Sequence, residues 1–166
     1  MSKHIIVDVD KCIGCHTCEL ACAMAHSESG DLELMVLKGE RPRYRLRVET
    51  TGSKPTVVTC QHGEDAECIE ACEFDAVKRL SPGRPVLVDN EACTACRKCV
   101  KACPYGMIEI QRGKKYVVKC DLCIERQAQH LEPACVASCP TKALSLGDDE
   151  PVSGDKGRTA TQSSAV

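Results

Sequence analysis

The stretch Cys93-Thr-Ala-Cys96-Arg-Lys-Cys99-Val-Lys-Ala-Cys103-Pro104 decides the fold of this chain. Its spacing, C-x2-C-x2-C-x3-C, occurs a second time in a run that comprises Cys12, Cys15, Cys18 and Cys22. Two looser groups also end in C-x3-C, and they comprise Cys60, Cys68 and Cys72, and Cys120, Cys123, Cys135 and Cys139. The chain therefore carries an internal repeat of four cysteine groups, which determines how everything between them is interpreted.

The repeated spacing suits a cubane iron–sulfur cluster. Three cysteines at two-residue intervals can wrap a tight loop around three corners of one cluster, and the fourth cysteine, on the next helical turn, reaches the neighbouring cluster. Structural zinc is the alternative, but a third cysteine at the same interval is redundant for one tetrahedral ion. A fully paired disulfide framework fits badly with an odd count of 15 cysteines.

Composition limits the class of protein further. The 166 residues include one Phe, three Tyr and no Trp, so few large side chains are available for a core, and we expect clusters to occupy the interior. The formal net charge of −2 shows no basic excess of the kind that nucleic-acid binding requires. No stretch approaches the ~20 apolar residues of a membrane span. The N-terminus lacks an apolar signal region, which favours a cytoplasmic protein with reduced thiols.

The segments between the cysteine groups predict an α+β fold. Runs rich in Val and Ile predict strands at Ile5–Val9, Tyr44–Glu49, Thr56–Thr59, Val86–Asp89, Met107–Ile110 and Lys115–Lys119. The stretch from Cys18 to His26 lacks Pro and Gly and predicts a helix, whereas Pro104 and Pro140 are expected to end short helices. We divide the chain into a domain of two interleaved halves at 1–146, with an insertion at 27–54, and a flexible or partner-ordered tail at 147–166.

The order of the groups resembles a known family. The four groups, with Cys60-Gln-His62, Cys103-Pro-Tyr-Gly106 and Lys119-Cys-Asp-Leu-Cys123, resemble the four-cluster ferredoxin-type electron-transfer subunits of the dimethyl sulfoxide reductase and formate dehydrogenase beta-subunit kind. Similar subunits serve hydrogenases, carbon monoxide dehydrogenase and tungsten aldehyde oxidoreductases. The resemblance covers about residues 4–146 and implies a tandem bacterial-ferredoxin-like fold of two pseudo-symmetric [4Fe-4S] units.

The resemblance also implies how the ligands are shared. It pairs the first group with the fourth and the second with the third. Cluster 1 then takes Cys12, Cys15, Cys18 and Cys139, and cluster 2 takes Cys120, Cys123, Cys135 and Cys22. Cluster 3 takes Cys93, Cys96, Cys99 and Cys72, and cluster 4 takes only Cys60, Cys68 and Cys103.

Cluster 4 departs from the family pattern because Gly63 stands where the family has its second cysteine of this group. Besides three [4Fe-4S] clusters, the chain is expected to hold a fourth site of one of three kinds. The site holds [3Fe-4S], or it holds [4Fe-4S] with a non-cysteine ligand such as His62, Glu64, Asp65 or water, or it is empty. A substrate-binding iron at the open corner is a further alternative. His4, His26 and His130 show no partner pattern and are expected at the surface or at helix ends.

These features predict an electron-transfer subunit with no catalytic residues. The chain has no dinucleotide fingerprint and no phosphate loop. We expect it to relay single electrons between a catalytic oxidoreductase subunit, such as a tungsten or molybdenum pterin aldehyde oxidoreductase, and a second partner. The second partner is a flavin subunit, a ferredoxin or another copy of the chain. The insertion at 27–54 is the candidate interface with the catalytic subunit. The rival interpretation is a metal-binding structural or redox-sensing module.

Overall fold

Short helices and two-stranded sheets build the chain. The computed structural model describes residues 3–41, 43–52 and 54–147. The helices are α1 (Thr17–Ala25), α2 (Leu32–Leu37), α3 (Glu67–Glu70), α4 (Lys98–Ala102), α5 (Ile124–Ala128) and α6 (Ala134–Ala137). The strands are β1 (His4–Val7), β2 (Arg47–Thr51), β3 (Lys54–Val58), β4 (Val77–Arg79), β5 (Val86–Val88), β6 (Glu109–Ile110), β7 (Val117–Val118) and β8 (Leu144–Gly147). In this described part of the chain, no helix has the length and apolar character needed to cross a membrane.

The sheet of β1 and β8 joins the two ends of the described chain. The strands are antiparallel, with His4 opposite Gly147 and Val7 opposite Leu144. Because the first cysteine group follows β1 and the fourth precedes β8, this pairing brings the two groups to one end of the same ribbon. Gly147 is the last residue of β8, so its assignment to the predicted tail was wrong. Residues 148–166 of that tail lie outside the described range.

The other sheets are local antiparallel pairs: β2 with β3, β4 with β5, and β6 with β7. The predicted helix after Cys18 is confirmed as α1, and strands occur within or overlapping all six predicted runs. The sequence analysis missed β4, β8 and α2. The two strands lie in short runs that directly follow cysteine groups, where only the pairing with a distant strand selects the extended conformation.

Arg41, Arg43, Arg45 and Arg47 alternate along the sequence, a spacing that would put all four on one face of a strand. They do not line such a face, because β2 begins only at Arg47. Arg43 instead forms an ion pair with Glu109, and the Nη1 atom of Arg45 lies 2.5 Å from the Oδ2 atom of Asp121. The insertion is thus tied to the third and fourth cysteine groups by ion pairs. Its helix α2 begins at an N-cap, Asp31, whose side chain accepts a hydrogen bond from the Leu34 amide.

Two apolar cores contain the cysteines as structural members. The first core comprises Ile5, Cys18, Cys22, Leu46, Val57, Leu122, Cys135, Val136, Cys139, Ala143 and Leu144. The second comprises Val77, Val86, Cys99, Ile108 and Val117, with Cys68, Cys72, Cys93 and Cys103 packed against it. Aliphatic side chains and thiols, not aromatic rings, fill both interiors, as the composition implied.

We predict that Leu144→Ala destabilises the purified protein by about 2–5 kcal/mol, because Leu144 is 3% exposed and its truncation leaves a cavity in the first core. The matched control is Leu37→Ala at a side chain that is 73% exposed, where a change within about 0.5 kcal/mol is expected. Anaerobic denaturant unfolding measures both variants. Equal losses in the two variants would contradict the position of the first core.

Candidate metal centres

The first centre brings together cysteines from the first and fourth groups. Cys12, Cys15, Cys18 and Cys139 line one recess between the α1 loop and the segment before β8. Burial raises the pKa of Cys18 to about 11. The amide of Ala143 donates a hydrogen bond of 3.2 Å to the sulfur of Cys139. Four sulfurs around one recess, with an amide aimed at one of them, form a donor set suited to an iron–sulfur cluster.

The second centre is the most deeply buried. Burial first, and then the neighbouring thiols of Cys22 and Cys123, raise the pKa of Cys135 to about 12. Cys120 lies near Cys22, and burial again raises its pKa well above the usual value for a thiol. Two amides donate to these sulfurs: Arg45 to Cys22 at 3.3 Å and Leu122 to Cys120 at 3.4 Å. These four thiols are therefore neighbours.

The third centre lies in the second core. Cys72, Cys93, Cys96 and Cys99 line a recess beside β4 and β7. Burial, followed by the neighbouring thiols of Cys72, Cys93 and Cys96, raises the pKa of Cys99 to about 11. The second cysteine group thus places its last thiol beside those of the third group. In the sequence, 20 residues lie between Cys72 and Cys93, and the hairpin of β4 and β5 is formed within them.

The fourth centre has three thiols. Burial raises the pKa of Cys68; the charge of Lys119 opposes this rise, and the nearby thiols of Cys60 and Cys103 add to it. The amide of Met107 donates to the sulfur of Cys103 at 3.3 Å. Gly63 lies at the protein surface, and a Cβ atom added to it would meet no heavy atom within 4 Å. The position where the family has a cysteine is thus open and exposed.

The loops of the first and third groups have the same backbone conformation. Gly14 and His16 have φ values of +67° and +60°, and the equivalent Ala95 and Arg97 have +54° and +68°. An alanine and an arginine seldom adopt left-handed conformations. Such alternation turns successive amides toward one side and forms a concavity for anions, as found at many iron–sulfur sites. The loops are therefore preshaped for a negatively charged group, and the thiols present fit an iron–sulfur cluster.

Thiols of different centres lie within electrostatic range of one another. Cys18 of the first centre acts electrostatically on Cys135 of the second. Cys60 of the fourth acts on Cys120 of the second. Cys68 of the fourth acts on Cys99 of the third. The order is thus first, second, fourth, third. The exposed cysteines, Cys15 and Cys96, belong to the two terminal centres.

A buried cation lies between the second and fourth centres. Lys119 is 3% exposed, and its ammonium group donates to the carbonyls of Val86 at 2.7 Å and Cys120 at 2.8 Å. Within the described ranges, no carboxylate forms an ion pair with it. Its charge acts on Cys68 and Cys120, the thiols of two different centres. A buried charge without an anionic partner is costly, so thiolates or a negatively charged group beside it would stabilise it.

His62 is held beside this lysine. Its Nδ1 atom accepts a hydrogen bond from the Val86 amide at 3.1 Å, and its buried Nε2 atom has no partner. Burial, followed by the charges of Lys119 and Arg79, lowers the pKa of His62 to about 2. The ring is therefore neutral. Because Nδ1 accepts a hydrogen bond, the ring proton is on Nε2.

His26 was expected at the surface or at a helix end, and it is the C-cap of α1. It is not a surface residue, because its Nε2 atom lies 3.2 Å from the Oδ1 atom of Asp121 and only 12% of its side chain is exposed. Burial alone would lower the pKa of His26, but hydrogen bonds to Asp121, Cys123 and Cys22 outweigh it and raise the pKa to about 12. His4 is also buried, which corrects its expected surface position.

Asp121 connects three parts of the chain at the second centre. It accepts hydrogen bonds from the Cys123 amide at 2.8 Å, from His26 and from Arg45 of the insertion. Burial would raise the pKa of Asp121, but the hydrogen bond to His26 and the charge of Arg45 outweigh it and lower the pKa. From the sequence, Asp121 was noted only as part of Lys119-Cys-Asp-Leu-Cys123. The feature that could have identified it as a site residue is its acidic side chain between two cysteines.

We predict that Asp121→Asn destabilises the protein by about 1–3 kcal/mol, because a half-buried histidine and arginine lose their shared anion. The matched control is Asp10→Asn, since Asp10 pairs with Lys54 on the exposed surface, where ion pairs contribute little. Thermal unfolding of both variants under anaerobic conditions measures the difference. A loss in Asp10→Asn as large as that in Asp121→Asn would show that the buried pairing is not the cause.

Comparison with known proteins identifies the family. The family described as "4Fe-4S dicluster domain" matches residues 55–149, and the "4Fe-4S binding domain" matches residues 3–24. The chain is 42% identical over 154 residues to YsaA of Escherichia coli (strain K12), covering 92% of this chain and 94% of that protein. It is 37% identical over 159 residues to the electron transport protein HydN of Escherichia coli (strain K12), covering 87% of each. Formate hydrogenlyase subunit 2 of the same organism is 33% identical over an alignment of 184 residues. The alignment covers 90% of this chain and 83% of that protein. The chain belongs to the ferredoxin-type iron–sulfur electron transport proteins with 4Fe-4S dicluster domains.

Proposed function

We propose that the four thiol centres hold iron–sulfur clusters and that the chain relays single electrons through them. Clusters 1, 2 and 3 are [4Fe-4S] sites with four thiolates each, on Cys12, Cys15, Cys18 and Cys139, on Cys22, Cys120, Cys123 and Cys135, and on Cys72, Cys93, Cys96 and Cys99. The grouping of these thiols around shared recesses or within electrostatic range supports the assignment. When bound, the clusters supply one-electron redox chemistry.

The fourth site is occupied in this proposal, with thiolates from Cys60, Cys68 and Cys103. Three neighbouring thiols and the amide of Met107 at the Cys103 sulfur support occupancy. His62 is excluded as an iron ligand of this site in the neutral form described above, because its free nitrogen carries the ring proton. Its Nε2–H group is available as a hydrogen-bond donor.

The serial arrangement of the centres is the single observation that carries the relay. Each internal centre has a neighbour on both sides, and only the terminal centres have an exposed cysteine. An electron that enters near Cys15 can therefore leave near Cys96, or the reverse, while three of the four thiols of the second centre stay buried. The chain's own residues set the spacing, the shielding and the charge around each cluster.

The two partners are proposed from family likeness. One terminal centre faces a catalytic oxidoreductase subunit, as expected for a relative of the dimethyl sulfoxide reductase and formate dehydrogenase beta subunits. A tungsten or molybdenum pterin aldehyde oxidoreductase is the proposed kind of catalytic subunit. Likeness to a formate hydrogenlyase subunit supports assembly into such a complex. The other terminal centre faces a flavin subunit, a ferredoxin or a second copy. The chain itself performs no catalysis.

The insertion at 27–54 is the proposed contact with the catalytic subunit. Its helix α2 buries Met35 but exposes Leu34, Val36 and Leu37. Adjacent exposed aliphatic side chains on a short helix are typical of protein–protein contacts. Arg45 ties this insertion to Asp121 at the second centre, so the contact surface and the relay are mechanically connected. A cytoplasmic location is part of the proposal, because thiols that bind clusters need a compartment that keeps them reduced.

We predict that anaerobically purified protein is brown and contains roughly 14–16 iron atoms with near-equal sulfide per chain. The three [4Fe-4S] clusters contribute about 12 of these irons and the fourth site adds three or four when filled, so fully loaded protein contains about 15–16. Iron, sulfide and zinc analysis with electron paramagnetic resonance measures the outcome. Colourless protein with stoichiometric zinc would replace the relay by a structural or regulatory metal module.

A second prediction concerns Lys119. Replacing it by Met removes a buried positive charge near two centres, so the reduced state of both becomes less favourable. We expect the midpoint potentials of clusters 2 and 4 to become more negative, with smaller shifts in clusters 1 and 3. Redox titration followed by electron paramagnetic resonance measures the four potentials. Lys115→Met is the matched control at an exposed position. A shift confined to one cluster, or equal shifts in the control, would contradict the bridging position of Lys119.

A further inference from the structure

We propose that the fourth site takes a small thiolate from solution as the ligand of its fourth iron corner, at the place that Gly63 leaves without a side chain. This inference rests on the proposed function, since it requires a cluster on Cys60, Cys68 and Cys103. It assigns to this chain an external-ligand site whose occupant is a low-molecular-weight thiol.

Space for such a ligand exists at Gly63. The residue is exposed, and a Cβ atom there would meet nothing within 4 Å. Its backbone is not among the left-handed conformations that favour glycine. Gly14 is different, because its φ is +67° and an added Cβ atom would lie 3.0 Å from Pro55. The conformation at Gly63 thus does not require a glycine, and what the residue contributes is open space in the loop that follows Cys60.

The chain offers no comparable internal ligand in this loop. His62 is 2% exposed, and the hydrogen bond from the Val86 amide to Nδ1 fixes its ring in the interior, away from the exposed position of Gly63. Glu64 and Asp65 are exposed carboxylates. Carboxylates are harder ligands than thiolates, whereas iron–sulfur clusters select thiolates. A thiolate from solution therefore completes the ligand set in the same chemical class as Cys60, Cys68 and Cys103.

Positive charge next to the open position favours an anionic ligand. The Nη2 atom of Arg79 donates to the carbonyl of His62 at 2.8 Å and to the carbonyl of Gly63 at 2.5 Å. These bonds also hold the loop in place. The ammonium group of Lys119 lies 3.5 Å from the Nδ1 atom of His62. Two cations therefore lie beside the loop, and they offset the repulsion between an approaching anion and the exposed carboxylates of Glu64 and Asp65.

The proposed binding step is a ligand addition without electron transfer. The S–H bond of the incoming thiol breaks, and its proton goes to solvent. The sulfur keeps the electron pair and uses it to form the bond to iron. No bond of the protein is broken, and the oxidation states of iron and sulfur do not change.

The test uses the full chain, reconstituted anaerobically with iron and sulfide, and 4-fluorothiophenol as the probe. Fluorine nuclear magnetic resonance should show one paramagnetically shifted resonance that saturates at one probe per chain. Gly63→Cys is the matched control, because it supplies the thiolate internally; the shifted resonance should be lost in it. Arg79→Gln should raise the apparent dissociation constant several-fold, because one of the two cations is removed. An excess of 2-mercaptoethanol should displace the probe.

Three outcomes would overturn the inference. The first is the absence of a shifted resonance in the unmodified protein, and the second is an equal resonance in Gly63→Cys. The third is a resonance that appears only in Asp65→Asn or Glu64→Gln, since a carboxylate would then be the native ligand. Iron and sulfide content and the reducible signals of clusters 1 to 3, recorded on the same samples, test the proposed function separately. Their presence without probe binding refutes the external ligand alone, whereas their absence refutes the electron relay.

Discussion

The burial of cysteine sulfur is the constraint on which the rest of the structure depends. Thiols occupy positions in both cores that other proteins fill with aromatic rings, and burial raises the pKa of those at the centre, Cys135 and Cys120 most clearly. A site that prefers neutral thiols when empty becomes favourable for thiolates only when positive charge is bound among them. In the described part of the chain, the helices are short and the strands form two-stranded sheets. Each of these elements, with the left-handed loops beside them, positions a few thiols close together. Packing alone would not select such a chain conformation.

Charge is the second feature that organises the interior. Lys119, His26 and Arg45 are cations beside or between the second and fourth centres. Among the residues that the structure describes, Asp121 is the only carboxylate that pairs with any of them. This imbalance is understandable if the clusters carry the missing negative charge. It also concentrates buried positive charge at the middle of the proposed relay.

Much of the fold could be predicted because it is local. The α1 helix, the hairpin of β6 and β7 and the α+β class follow from short-range spacing and β-branched runs. The missed strands depend on their pairing partners: β8 is extended because it pairs with β1 at the other end of the described chain, and β4 because it pairs with β5 in a hairpin. The arginines before β2 also alternate along the sequence as residues of a strand would. In the structure, however, Arg43 forms an ion pair with Glu109 and Arg45 forms one with Asp121.

The sequence by itself determined the chemistry of this protein: four cysteine groups, a class of cofactor and a position, Gly63, where one thiol is missing. These are properties of residue type and spacing, which do not depend on how the chain is folded. Only the tertiary structure decided which groups are neighbours in space, that Lys119 lies buried between two of them and that the buried His62 accepts a hydrogen bond from the Val86 amide. Those facts arise from contacts between residues far apart in the chain, and a local sequence pattern carries no information about such contacts.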